Sequence, residues 1–478
     1  MTRRNRFATG SDASSFRDPA GYVFFQDGVL YRQVNEPALE DFRGLVDSGL
    51  YQELVKKHWL IEHEELSDPR GNCNAGCIIR PRELPYISYP YEWAFQQLKD
   101  AALLTLWVQR TALHYGFSLK DATAFNVQFD GCNPIFIDTL SFERYEEGQH
   151  WPAYRQFCQH FLAPLALAAH KEQRLRKLAL AFIDGIPLDL ASKLLPGKTW
   201  LHYSLLSHIH LHAKAQAHYA SHGAGKSIGR SKKSGKLSIS HQLALLDSLE
   251  AAVKKQQPAQ FDSEWRNYYG ATNYSSRAAS HKADLLETYL SKVTGNIGLI
   301  QDLGANNGHY SRIAAKYAAS VISQDIDANA VQSNYRRLKQ QGPKNVLPLE
   351  LDLTTPTPAI GWANSERLSF EDRCGADVIL ALALIHHLAI SNNLPLDGIA
   401  SFFAENCRWL VIEFIPKGDS QTSRLLSTRL DVFPDYTESG FESAFDGYFH
   451  IRDKSVIEGT QRTLYLMESL VANHSSDA

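Results

Sequence analysis

Leu299-Ile300-Gln301-Asp302-Leu303-Gly304-Ala305-Asn306-Asn307-Gly308-His309-Tyr310 reads as a strand, a tight turn and the start of a helix. Gly304 and Gly308 remove side chains where backbone would approach a ligand at the first crossover of a βαβ unit. Asp302 sits at the strand end, where a carboxylate can accept from an ammonium group. That suits an amino-acid moiety better than a pyrophosphate. Asn306 holds the middle of the turn, and asparagine tolerates left-handed backbone better than most residues. About twenty residues on, Ser323-Gln324-Asp325-Ile326-Asp327 ends the next strand in acids, and a carboxylate there can take both hydroxyls of a ribose. Leu351-Asp352-Leu353 ends a third strand with an acid able to contact an adenine amino group. Asp377 opens a fourth.

Outward from this stretch, strand-like and helical patterns alternate. Strands are expected at 299–303, 321–326, 346–351, 378–383 and 409–414, with helices at 309–319, 328–340 and 396–405. This rhythm predicts an α/β domain: a parallel sheet covered by helices on both faces. The end differs, because 448–456 and 462–467 flank Glu458-Gly459-Thr460 as an antiparallel hairpin that closes the sheet.

The ordered set resembles class I S-adenosylmethionine-dependent methyltransferases, which have a Rossmann-like fold. Asp377-Val-Ile-Leu-Ala-Leu-Ala-Leu-Ile-His386-His387-Leu388 is similar to that superfamily's fourth-strand motif, and Trp409-Leu-Val-Ile-Glu413-Phe-Ile-Pro416-Lys417 to its fifth-strand segment. At finer scale, 263–467 resembles the nodulation-protein-type methyltransferases of bacteria. Pro358-Ala359-Ile360-Gly361-Trp362-Ala363-Asn364, Ala381-Leu382-Ala383-Leu384-Ile385-His386-His387 and Phe433-Pro434-Asp435-Tyr436-Thr437 carry that likeness. The resemblance implies S-adenosyl-L-methionine as cofactor. It would be held by Asp302, Gly304, Asn306, Gly308, Asp325, Ile326, Asp352, Leu353 and Ala381, with Tyr274 from the aromatic segment 265–274 folded over it. Lys282, on the helix that follows, would reach the adenosine or the carboxylate. His386 and His387 lie where acceptors enter. Either one of them takes a proton from an oxygen or nitrogen acceptor, or the pair packs under the cofactor. Glu413 is a further candidate base.

The first zone, to about residue 191, is rich in aromatics. The runs 22–25 and 29–31 flank Asp27-Gly28 as a hairpin, and 98–114 has helical periodicity. The runs 127–129 and 135–137 form a second hairpin. Between them lies Leu119-Lys120-Asp121-Ala122-Thr123-Ala124-Phe125-Asn126-Val127-Gln128-Phe129, with Asp138 following the second strand. Phosphoryl transfer to a hydroxyl needs a base and two oxygen ligands for magnesium, and this pattern supplies three such groups in a small volume. Over 85–142 it resembles protein-kinase-like folds, including aminoglycoside-phosphotransferase-like ones. The likeness implies Asp121 as base, Asn126 and Asp138 as metal ligands, and Mg-ATP as cofactor. Asp138-Thr139-Leu140 replaces the usual Asp-Phe-Gly, no glycine-rich loop precedes Tyr22, and Arg32 rather than a lysine lies on the nearby strand. A degenerate α+β kinase-like domain that binds or presents the acceptor is the resulting expectation. Two alternatives stay open: an active phosphotransferase, and a non-catalytic regulatory chain. The bland reading of the turn is that Asp and Asn cap local backbone.

Between the zones, 190–246 contains no Asp or Glu but eight Lys/Arg and seven histidines. Its Gly/Ser/Lys centre, 223–236, reads as a linker, or as a basic loop meeting an anionic surface. His208 and His212 have metal-ligand spacing but no third ligand in view. The expected organisation is therefore 1–190 kinase-like, 191–260 basic segment and linker, and 261–478 methyltransferase.

The 478 residues exceed one compact core. With 44% apolar and 21% charged residues and a net charge of −3, bulk disorder and bulk nucleic-acid binding are excluded. A small molecule, lipid or glycan is the expected acceptor class, and the oligomeric state stays open. Six sparse cysteines read as free thiols, and no apolar run approaches the roughly 20 residues of a transmembrane helix. The expectation is a cytoplasmic protein.

Overall fold

The computed structural model describes residues 11–66, 75–214, 238–259, 275–427 and 430–471. The chain divides into two compact units. The first comprises Met1–Phe129, Asn133–Phe261 and Ile360–Arg367; the second comprises Asp130–Cys132, Asp262–Ala359 and Leu368–Ala478.

The first unit opens with β1 (Gly21–Gln26) and β2 (Val29–Asn35), paired antiparallel around Asp27 and Gly28, both at positive φ. With β3 (His63–Leu66) and β4 (Ala75–Pro81) they form a four-stranded antiparallel sheet of order β1-β2-β4-β3. A 20-residue helix, Phe95–His114, is buried over most of its length. Two short ribbons follow: β5 (Phe117–Leu119) with β8 (Phe142–Arg144), and β6 (Val127–Asp130) with β7 (Asn133–Phe136). The second ribbon turns through Gly131 and Cys132 alone, and Pro134 is tolerated inside β7 because that ribbon has only two strands. Helix Ile239–Lys255 packs on Phe95–His114. Buried Lys99 donates to the carbonyls of Lys254 and Gln256, at 2.7 and 2.8 Å, satisfying that helix's C-terminal end.

The second unit is built on β9 (Ile297–Leu303), β10 (Ala318–Asp325), β11 (Val346–Glu350), β12 (Ala376–Ala381), β13 (Cys407–Phe414), β14 (Phe449–Val456) and β15 (Thr463–Ser469). They form one sheet of order β11-β10-β9-β12-β13-β15-β14. The first five strands are parallel; β15 runs antiparallel to β13, and β14 antiparallel to β15. β11 is buried throughout and β12 and β13 nearly so, as parallel strands covered on both faces must be. β14 is the exposed edge, broken by an irregularity at Ile451/Asp453 and carrying charged side chains that discourage pairing.

The helix after the first turn is shorter than its sequence suggests. It spans His309–Ala314, and β10 begins already at Ala318, where 309–319 reads as helix from alanine content. Pairing of Ala318 with Ile297 and of Ser320 with Leu299 overrides that local preference.

Candidate functional site

The turn after β9 is defined by three left-handed residues: Gly304 (φ +77°), Asn306 (φ +49°) and Gly308 (φ +69°). Asn306 donates its backbone N–H to Asp325 Oδ2 at 2.7 Å, and its own Oδ1 accepts from the N–H of Asn307 at 2.8 Å. The asparagine thus supports the conformation that a glycine would adopt freely. Gly308 precedes the helix and lies against Asn334, whose amide atoms stand 2.3–2.5 Å from where a Cβ would be. Asn334 in turn donates to Ser323 Oγ at 2.9 Å.

Asp302 is buried at the end of β9. Its Oδ2 accepts from Ser311 Oγ at 2.5 Å, and Oδ1 has no hydrogen-bond partner among the described residues. Burial raises its pKa to about 6, against the pull of Ser311 and Lys282. Asp325 ends β10. Besides Asn306, it accepts from the N–H of Asp327 at 2.8 Å, so each oxygen already holds one backbone donor. Burial raises it to about 6 as well. Ile326, directly after it, is 51% exposed, an apolar side chain left open beside two buried acids.

Asp352 closes its own turn: Oδ1 accepts from the N–H and hydroxyl of Thr354, and Oδ2 from the hydroxyl of Thr355. Leu353 packs partly against the core of this unit, and Ala381 is fully buried at the end of β12. Ala383 then takes φ +53°, and the chain enters a short helical stretch carrying the histidine pair. His386 is fully buried, neither ring nitrogen has a partner among the described residues, and its ring lies 4.0 Å from that of His387. Burial, then His387, then Arg462 hold its pKa well below the usual imidazole value; burial takes His387 down to about 4.

Glu413 is placed differently from the expectation that made it a base at the mouth of the site. It is fully buried. Its Oε2 accepts from Lys282 Nζ at 2.6 Å, and its Oε1 from Arg462 Nη1 at 3.4 Å. Arg462 also clasps both oxygens of Asp419, at 2.8 and 3.0 Å. Both oxygens are engaged by cations, so this geometry gives Glu413 a structural role rather than base chemistry. Lys282 is likewise absorbed: its ammonium pairs with Glu413 and stands 4.4 Å from the Tyr310 ring centroid. Arg462, Asp419, Ser323 and Asn334 have no local sequence signal pointing to the site. Ser311 alone was findable, as the hydroxyl three residues into the helix that follows Gly308. Tyr274 and the aromatic segment 265–274 lie outside the described residues.

In the first unit, Asp121, Asn126 and Asp138 come into one neighbourhood without forming a cation site. Asp138 Oδ1 meets Arg32 Nη2 at 2.6 Å and accepts from the N–H of Leu140, while Oδ2 accepts from Ser141 Oγ at 2.5 Å. Asn126 turns its amide N–H₂ toward Ser141 Oγ at 3.0 Å. Asp121 caps the N–H of Thr123, and burial raises its pKa. Arg32 also reaches Asp18 at 3.2 Å. A guanidinium therefore supplies positive charge at Asp138, where the expectation placed a magnesium ion. Among the described residues, no group of three His, Cys, Asp or Glu could hold a metal. The His208 ring bonds Tyr154 Oη and Ser248 Oγ, at 2.8 and 2.9 Å. Next to Asn126, the Phe125 ring is covered by the guanidinium of Arg367 at 4.4 Å, from the inserted segment Ile360–Arg367.

The seven-stranded sheet and its glycine-bearing first turn define the second unit as a methyltransferase-like α/β fold. No family model matches the chain. Its sequence is 35% identical over 469 residues to nodulation protein NoeA of Rhizobium meliloti (strain 1021), covering 96% of each chain. The chain belongs to the NoeA family. Among solved structures, the N-methyltransferase NodS from Bradyrhizobium japonicum WM9 in complex with S-adenosyl-l-homocysteine matches 44% of this chain and 100% of its own, at 12% identity and TM-score 0.32. The 16S rRNA methylase ArmA matches 43% of this chain and 91% of its own, at 14% identity and TM-score 0.30.

Proposed function

We propose that the second unit transfers a methyl group from S-adenosyl-L-methionine to an oxygen or nitrogen acceptor. The observation that carries this is the Gly304–Gly308 turn pinned to the end of β10 by Asp325. It brings a buried carboxylate, two glycines and an exposed apolar side chain together at the sheet's end. Asp302 Oδ1 is assigned to the ammonium of the donor's amino acid. Each Asp325 oxygen keeps a further lone pair for a ribose hydroxyl. Ile326 and Leu353 flank the adenine, since Asp352 is engaged in its own turn. The bound donor supplies an electrophilic methyl group; the protein supplies position and a proton acceptor.

His386 is the assigned proton acceptor. With the donor bound, an imidazole nitrogen of His386 would take the proton that the acceptor atom gives up. Neither ring nitrogen has a partner among the described residues, which leaves a lone pair for that proton.

The first unit is read as a kinase-like domain that holds or presents the acceptor and does not transfer phosphate. The Arg32–Asp138 ion pair favours this over the phosphotransferase alternative. A small molecule, lipid or glycan remains the acceptor class, and the cytoplasm the proposed location. No helix among the described residues is long and apolar enough to cross a membrane. Calorimetry of the full chain with S-adenosyl-L-methionine, followed by transfer of a labelled methyl group to cell metabolites and lipids, tests the reading. A folded chain that does not bind the donor overturns it.

A further inference from the structure

The acid-free stretch has a described part, 190–214, with an unusual surface. Its exposed side chains are Lys193, Lys198, Leu201, His202, Tyr203, Leu211 and Lys214. Leu201 is 87% exposed, Tyr203 79% and Leu211 50%. They project from an ordered frame rather than a frayed end. His210 is fixed between Ser192 Oγ and Thr199 Oγ1 at 2.8 and 2.9 Å, and Trp200 stacks on its ring at 4.4 Å. Lys214 Nζ lies 4.6 Å from the Trp200 ring centroid. Asp189, just before the stretch, pairs with Lys193 at 3.5 Å; Lys198 and Lys214 have no carboxylate partner among the described residues.

We propose that this face docks on an anionic lipid surface. Apolar tips interspersed with lysines, along a stretch that contributes no acid of its own, match the boundary between acyl chains and charged headgroups. Leucine and tyrosine enter the boundary while the ammonium groups meet lipid phosphates. Three separated apolar side chains are too few for the roughly 800 Å² per partner of a stable protein interface. A nucleic-acid groove would favour arginines and stacking rings, and gains nothing from a leucine that stands almost fully in water.

The test is co-sedimentation of the full chain with phosphatidylcholine vesicles, with and without phosphatidylglycerol, at low and high salt. Binding is expected only with the anionic lipid, and it should weaken with salt. Leu201→Glu with Tyr203→Glu should lower it by at least about tenfold at unchanged melting temperature. Lys198→Glu with Lys214→Glu should lower it further than the roughly fivefold that one lysine contributes. Equal binding to neutral vesicles overturns the proposal, as does vesicle binding indifferent to both double variants. So does a chain that ignores vesicles but binds single-stranded RNA, or that forms a dimer which Leu201→Glu with Tyr203→Glu dissociates.

Discussion

Asp325 Oδ2 accepts the backbone N–H of Asn306 at 2.7 Å, tying the end of one strand to the turn that leaves its neighbour. One carboxylate therefore shapes the turn and, in our reading, holds the ribose. Asp325→Ala should remove both functions. Loss of the acceptor for two backbone donors should cost about 1–3 kcal/mol of stability. Donor affinity should fall roughly ten- to more than hundredfold. Denaturation and donor calorimetry on the same preparation check both; unchanged donor affinity in a folded variant would sink the assignment.

The two buried acids also set a pH signature. Asp302 and Asp325 rise from 3.8 to about 6 through burial. The folded state then binds more protons than the unfolded state between about pH 4 and 6. Their contribution to stability is therefore greatest below that window and is lost as pH rises through it. Donor binding should run the other way: an ammonium group needs ionised Asp302, so affinity should be full above about pH 6 and decline below it. Calorimetry across pH, in buffers of different ionisation enthalpy, reads the proton release.

His386 separates function from packing. Because neither ring nitrogen is bonded to the described protein, His386→Leu removes no hydrogen bond. Melting temperature should stay the same or rise, donor affinity should stay nearly constant, and turnover should drop by about 10²–10⁴-fold. His387→Leu should affect turnover less. Full turnover in both variants would leave the pair a structural role only.

Glu413→Ala should remove the carboxylate that pairs with buried Lys282, while Arg462 keeps Asp419, destabilising the second unit by about 3–5 kcal/mol. Replacing Lys282 and Glu413 together by apolar residues should be milder. Urea unfolding of the three variants forms the comparison, and a Glu413→Ala chain as stable as the parent would contradict the pairing described.

Arg32→Ala should open a cation site in the first unit. With its guanidinium gone, Asp138, Asn126 and Asp18 face one another around an unneutralised cluster, and manganese should bind the variant but not the parent. Electron paramagnetic resonance of manganese reads this directly. Manganese bound by the parent at Asp138, and lost in Asp138→Asn, would restore the phosphotransferase alternative.

Much of the second unit was legible from local pattern alone. Runs of apolar residues bounded by Gly304, Gly308 and strand-end acids mark buried parallel strands, and Glu458-Gly459-Thr460 marks the closing hairpin, because these signals depend on neighbours a few residues apart. Asp302, Asp325 and Ile326 could be placed at strand ends for the same reason. Pairings across long separations could not be read this way. Lys282 meets Glu413 131 residues away, and Arg462 meets Asp419 across 43; nothing in either local sequence specifies the partner. The same holds for Arg32 with Asp138, where the sequence offered three plausible ligands and folding brought in a guanidinium. It holds too for Ile360–Arg367, which lies in sequence between strands of the second unit yet belongs to the first. Local backbone preference and burial pattern were enough for the parallel core strands of the second unit, the glycine turn and the residue types at the strand ends. Tertiary structure alone decided which charges are neutralised, and therefore which carboxylates and imidazoles are left to do chemistry, because charge compensation depends on distance in space.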